Sequence, residues 1–217
     1  MNDIPIGALA FIPLALFAIY FIKSRSATAQ VWISFARRRG LEYNDLRGAG
    51  KNRGLDTSMK ARQSSTVMRL LSVGAMPRIT GENNEFPFEL STIKKGSGNN
   101  KTLYSFMKLE LKDLPAKINV LPERSIHKVI KIFGYQDIQT GDADFDEKFI
   151  VRGENPEQAL SYLTPERRDT LKKYSMEIPG LELRQGAIYM ERRGLIKKMD
   201  ELEKLFRELG KLAIALG

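Results

Sequence analysis

The chain has 217 residues, with 35 Lys/Arg, 26 Asp/Glu, a formal charge of +9, no cysteine and one histidine, His127. That length suits a membrane or linker element plus one domain of about 150 residues, enough to bury a core without covalent staples. The lack of cysteine excludes disulfides, thiolate metal sites and thiol nucleophiles, and a single histidine excludes any multi-histidine metal centre.

The charge is unevenly placed. Residues 1–80 hold 12 Lys/Arg and 4 Asp/Glu, whereas residues 81–217 hold 23 and 22. The run "IPIGALAFIPLALFAIYFI", Ile4 to Ile22, contains no charged residue. At about 1.5 Å per residue it reaches roughly 28 Å as a helix, close to the thickness of a bilayer's hydrocarbon. Pro5 falls in the first turn and Pro13 predicts a kink, which membrane helices tolerate. Tyr20 and Trp32 are placed to sit at the membrane interface. A cleaved signal peptide is the rival reading, with "ATA" at Ala27–Ala29 as its site. The acidic n-region, the long apolar run, and Lys23 and Arg25 ahead of that site favour a retained anchor.

Lys23, Arg25, Arg37, Arg38 and Arg39 all follow the run, and no basic side chain precedes it. The positive-inside rule then predicts a single-pass protein of the cell membrane, N-terminus outside and C-terminal domain cytoplasmic. The segment "AQVWISFARRRGLEY" predicts a short amphipathic helix with Val31, Trp32 and Phe35 on its apolar side. Its arginines, with Lys23 and Arg25, either contact anionic lipid headgroups or serve only as topology determinants. Residues 44–76 are rich in Gly, Ser and basic residues and read as a linker with a helical turn near Val67–Leu71. "GAGKNRG" is no phosphate loop, because Asn52 follows Lys51 where Ser or Thr is required.

From Pro77 the apolar period changes to two. "RITG", "FPFELSTI", "TLYSFMKLEL" and "KINVL" predict an antiparallel meander joined by "GENNE" and "KKGSGNN". Leu103, Ser105, Met107, Leu109 and Leu111 alternate with Tyr104, Phe106, Lys108 and Glu110, a sheet covered well on one side only. A short helix near Ser125–Ile132 carries His127, which has no nucleophile or acid at recognisable spacing.

"TGDADFDEKFIVRG" sets Asp142, Asp144, Asp146 and Glu147 within six residues. Asp142, Asp144 and Asp146 fit the first acids of a calcium loop, but Glu147 stands where that loop needs Gly, and Gly153 where it needs Glu. An aspartyl-phosphate motif fails too, since Asp146 replaces its Thr or Val. The favoured reading is a strand, with Phe145, Glu147, Phe149 and Val151 on one side and Asp146, Lys148, Ile150 and Arg152 on the other. "NPEQ" and "TPER" then predict two helices capped by Asn155 and Thr164. "IPGLELRQGAIYMERRG" predicts a hairpin turning at Gln185-Gly186. In the last segment Leu195, Met199, Leu202, Phe206, Leu209, Ala213 and Leu216 form an a/d seam. It docks on the chain's own sheet, or it pairs with a partner helix or a second copy.

At "GDADFDEKFIVRGENPEQALSYLTPERRDTL" and "GLELRQGAIYME" the chain resembles a group of uncharacterised prokaryotic membrane-anchored proteins with a cytosolic α+β domain. The pattern falls on Phe145, Asp146, Phe149 and Val151, on Pro156-Glu157 and on Leu163 to Glu166. The resemblance implies membrane attachment and brings no catalytic residue, metal or cofactor with it.

The reading is therefore α+β: a transmembrane anchor (1–23), a basic juxtamembrane segment and linker (24–76), an antiparallel sheet domain with flanking helices (77–193) and a C-terminal amphipathic helix (194–217). The expected role is a membrane-anchored, non-catalytic binding or scaffolding domain. Its expected partners are membrane lipids and a protein, or a second copy, at the C-terminal helix. The alternative is a membrane-bound metal-dependent hydrolase built on Asp142, Asp144 and Asp146. Nucleic-acid binding is not expected, because basic and aromatic residues do not interleave along the strands.

Overall fold

The period-two alternation read between Arg78 and Leu121 becomes a sheet. The computed structural model describes residues 27–44, 76–97, 100–123 and 136–217. Among these, the strands are β1 (Glu42–Asn44), β2 (Arg78–Asn83), β3 (Phe86–Lys95), β4 (Thr102–Glu110), β5 (Ile118–Pro122), β6 (Gln136–Ile138), β7 (Phe149–Gly153), β8 (Glu182–Arg184) and β9 (Ala187–Arg193). The helices are α1 (residues 27–39), α2 (Ala143–Lys148), α3 (Pro156–Tyr162), α4 (Pro165–Glu177) and α5 (Met199–Leu216). The strands form one antiparallel sheet in the order β1-β2-β3-β4-β9-β8-β5-β7-β6. The protein is thus α+β. None of the described helices is long and apolar enough to cross a membrane. The run Ile4–Ile22, with Lys23 and Arg25, lies outside the described residues, as do the turn at Val67–Leu71 and the helix around His127.

Register turns the alternation into a continuous apolar row. Phe88 pairs with Leu109, Leu109 with Ile188, Ile188 with Leu183, Leu183 with Val120, Val120 with Val151, and Val151 with Ile138. All seven side chains are buried. Since successive side chains point to opposite faces, a one-residue slip in any strand would expose its share of this row. The hairpin turns hold the register. Asn84 and Glu85 (φ 51° and 69°) close β2–β3, and Gln185 and Gly186 (φ 50° and 73°) close β8–β9, both central residues being left-handed as a two-residue type I′ turn requires.

Helices α1 and α5 cover this face. The Phe206 ring meets Phe35 of α1 at 5.4 Å and Phe88 of β3 at 4.9 Å between centroids, both edge to face. The caps form as the sequence predicts: Asn155 accepts from Gln158 N and Thr164 from Arg167 N, with Pro156 and Pro165 opening α3 and α4.

Three expectations are corrected. The folded body does not begin at residue 77, because residues 27–44 supply α1, in the segment where a helix was expected, and the edge strand β1. Trp32 is not at a membrane interface; it is fully buried, and its Nε1 donates to the carbonyl of Ile196 at 2.8 Å. The strand expected from Phe145 to Arg152 begins only at Phe149, because residues 143–148 are helical.

One close approach depends on a glycine. Gly210 lies mid-α5 against the β2–β3 turn, where Asn83 Nδ2 donates to the carbonyl of Phe206 at 2.6 Å. A Cβ at Gly210 would stand 2.5 Å from Asn83 Oδ1 and 2.6 Å from Asn84 Nδ2. In an exposed helix Gly→Ala stabilises by about 1 kcal/mol. Here Gly210→Ala is expected to destabilise instead, by about 1–3 kcal/mol, through overpacking. Urea unfolding would read the sign, and an increase in stability would mean that the turn yields freely.

Candidate functional site

The acidic stretch is the most charged local constellation, and its geometry follows from ordinary capping. Gly141 turns the chain in the left-handed region (φ 79°), and Asp142 takes an extended conformation as N-cap of α2. Its carboxylate accepts from the Phe145 backbone N–H at 3.1 Å, satisfying a donor the helix start leaves open. Asp146 folds back instead, accepting from the Thr140 amide at 3.0 and 3.1 Å and from its hydroxyl at 2.8 Å. Phe145 is buried and stacks on Phe149 at 4.8 Å, so the helix is anchored by the aromatics read in the sequence.

Cations from α4 complete the cluster. Lys172 Nζ lies 3.1 Å from Asp142, 3.3 Å from Asp144 and 2.9 Å from Asp169. Arg168 Nε is 3.4 Å from Asp142, and Lys148 Nζ is 2.6 Å from Asp144, one helical turn away. The Lys172 hydrogen bond, with that from the Phe145 N–H, holds the Asp142 carboxyl below the usual range. Lys148, then Lys172, does the same for Asp144. Asp169 and Asp142 in turn hold the Lys172 ammonium above its ordinary value. An ammonium group thus stands among the carboxylates. Among the described residues no group of three or more His, Asp or Glu side chains is arranged to hold a metal ion. The arrangement ties the β6–α2 turn to α4; α4 itself was read from its cap, but its cations gave no sign in the sequence of the acids they would meet.

The remaining candidate residues are dispersed. Arg37 bonds the Tyr43 hydroxyl at 3.2 Å, Arg39 forms an ion pair with Glu203 and lies 5.4 Å over the Phe206 ring, and Arg38 is exposed. Of the C-terminal seam, Leu202, Phe206 and Leu209 are buried within the chain's own core, and Leu195 and Met199 pack partly against it. The helix therefore docks in cis, because its stripe completes the face opened by the sheet.

No protein-family model and no curated protein matches this sequence. Among solved structures, the chain is similar to the mycobacterial trehalose monomycolate transport factor A, TtfA, at 12% identity and a TM-score of 0.45. The match covers 88% of this chain and 96% of that one.

The pH dependence of the cluster follows from the shifts. Depressed carboxyls at Asp142 and Asp144 contribute stability that is present above the unfolded value near 4 and is lost as pH falls through their folded values. The raised Lys172 contributes below the ordinary lysine value near 10 for as long as its carboxylate partners stay ionised, and on the alkaline side it loses that contribution only in strong alkali. Lys172→Met is thus expected to lower the melting temperature at pH 6–7, with the gap to wild type closing as pH falls below about 4. A gap that persisted unchanged at pH 2–3 would assign the loss to packing rather than charge.

Proposed function

We propose that the protein is a membrane-anchored, non-catalytic binding or scaffolding domain, carried on the cytoplasmic side by one span at Ile4–Ile22. The observation that carries this reading is the uncharged run Ile4–Ile22, and the placement of Trp32 sets how near to it the folded body begins. The uncharged run ends at Ile22, residues 23–26 intervene, and α1 then enters the core, where Trp32 and Phe35 are fully buried. A bilayer segment so close to a locked helix holds the domain at the membrane surface on a short lead. Each Leu, Ile, Phe or Val near the centre of such a run favours insertion by about 0.3–0.6 kcal/mol, and a central Lys opposes it by about 2.5–3.5 kcal/mol. The non-catalytic part of the reading is supported by the use of the clustered acids, which cap a helix, bond a turn and pair with lysine and arginine. A hydrolase would need carboxylates aimed at a substrate instead.

Alkaline carbonate extraction tests the anchor. The wild-type chain is expected to stay in the membrane pellet, and Leu14→Lys is expected to move a substantial fraction to the supernatant. Release of the wild type would refute the span. A fluorescent reporter that matures only in the cytoplasm, fused after Gly217, is expected to be active, and activity of an export-dependent phosphatase at that position would reverse the topology.

A further inference from the structure

The geometry points to a basic rim, made by Lys94, Lys101, Arg193, Lys197 and Lys198, that rests on anionic lipid headgroups. The proposal builds on the membrane-anchor reading but concerns residues that reading does not use. These five cations come from three separate stretches of chain, and the sheet gathers them at one end. Lys94, next to last in β3, pairs with Leu103 of β4, and Lys101 directly precedes β4. The Gly194 N–H donates to the Leu103 carbonyl at 2.8 Å, which brings Arg193 alongside. The Ile196 N–H donates to Ser105 Oγ at 3.0 Å, which places Lys197 and Lys198 at the same end. All five are exposed. Among the described residues no carboxylate pairs with any of them; the neighbouring Glu191 and Glu201 are engaged by Lys95 and Arg192. Asp200, in the first turn of α5, is a further exposed acid nearby.

The path of α1 makes this the membrane end. Trp32 meets Ile196, Phe35 meets Phe206, and Leu41 lies against Gly81, which pairs with Phe88. The helix therefore runs from the Ser105 level of the sheet toward the Phe88 level. Traced backward from Trp32, its five preceding residues carry it about 7.5 Å toward the rim. Residues 23–26, even fully extended, allow no more than about 17 Å between Ile22 and Ala27. Arg37, Arg38 and Arg39 lie at the other end of α1, about 15–18 Å farther from the entry point. The end of the sheet remote from the rim, roughly 30 Å away along β3, carries both signs, because the Arg37–Arg39 end of α1 also lies there. There Glu82, Glu85, Glu110 and Asp113 stand with Lys112, and Lys108 reaches Glu110 at 2.6 Å. A domain charged in this way is drawn to a negative bilayer by its anchored end, where exposed cations outnumber exposed acids. Each cation near such a surface strengthens attachment by about fivefold.

The chain has no cysteine, so single labels can be introduced without background. Asn100→Cys reports the rim and Glu82→Cys the distal end. The full chain would be reconstituted in phosphatidylcholine vesicles with and without 30% phosphatidylglycerol, and each label quenched by nitroxide lipids carried at headgroup depth. The expected result is several-fold stronger quenching at position 100 than at position 82. That difference should grow with phosphatidylglycerol, and should fall in about 1 M salt, where screening lengths shrink to about 3 Å. The variant with Lys94, Lys101, Arg193, Lys197 and Lys198 all changed to Gln should lose the phosphatidylglycerol dependence while keeping its melting temperature. If that variant folds poorly, the salt and lipid dependence of the wild-type label carries the test. Equal quenching at both positions, or rim quenching indifferent to lipid charge, would overturn the proposal. Tight binding of single-stranded poly-dT through the same five cations, without lipid dependence, would overturn it in favour of a nucleic-acid surface. Carbonate release would defeat the anchor separately. The rim would then be read by flotation of the unanchored chain, with salt-reversible flotation on phosphatidylglycerol vesicles supporting it and none overturning it.

Discussion

The junction at Ser105 holds the two ends of the described chain to the sheet. Its hydroxyl donates to the Gly194 carbonyl and accepts from the Ile196 N–H, both at 3.0 Å, and the side chain is fully buried. Ile196 in turn gives its carbonyl to Trp32 Nε1. One small polar side chain in the middle of an apolar strand face therefore fixes where the chain leaves β9, where α5 starts, and where α1 docks. Every polar atom in this relay is satisfied, which is the condition for burying it at all: an orphaned buried donor or acceptor costs about 1–3 kcal/mol. With the departure point of α5 fixed, its stripe can fall only on the face that presents Phe88, Leu90, Met107 and Leu109. The Phe206 ring then sits where both Phe35 and Phe88 meet its edges.

Charge is used in two distinct ways. Around Asp142 and Asp144, carboxylates and cations are interleaved at hydrogen-bond distance, and the result is local fastening of a turn to a helix. Such half-exposed pairs contribute modestly one by one, and they gain by sharing Lys172. At the rim, by contrast, five cations are collected with no ion-pair partner among the described residues. Five unpaired cations near the start of α1 cost the fold some self-repulsion and supply no packing. Their arrangement makes sense as an outward field directed at something negative.

Much of the fold was legible because its signals are local. The strands at Arg78–Asn83, Phe86–Lys95, Thr102–Glu110 and Ile118–Pro122 follow from alternation. The turn at Gln185-Gly186 follows from its residue types, and the caps at Asn155 and Thr164 from a short polar side chain followed by proline. The failures are just as physical. "ADFDEK" alternates like a strand, but a carboxylate at Asp142 positioned to accept from Phe145 N starts a helix, and six residues are too few for periodicity to choose between the two. Trp32 and Phe35 form a stripe that an interfacial helix and a core helix share. The stripe cannot say whether lipid or protein covers it, and here the apolar face of the sheet does. The acids of the candidate site were visible, whereas Lys172 and Arg168, which decide what those acids do, stand about 25–30 residues later on α4.

Legible in the sequence by itself were the strands between Arg78 and Pro122, the caps that open α3 and α4, the hairpin turn at Gln185-Gly186, the single apolar stripe of the C-terminal helix, and the uncharged run that precedes the domain. Those properties depend on sterics, turn conformations and hydrogen bonds that act within about four residues. Tertiary structure alone decided what each apolar stripe meets, since burial is non-directional and any matching surface satisfies it. It decided that the C-terminal seam is filled in cis and that residues 27–44 belong to the folded body. It also decided which charges are consumed and which are left over. Lys94, Lys101, Arg193, Lys197 and Lys198 lie up to about a hundred residues apart along the chain, and only the antiparallel register of β3, β4 and β9 brings them to a single edge.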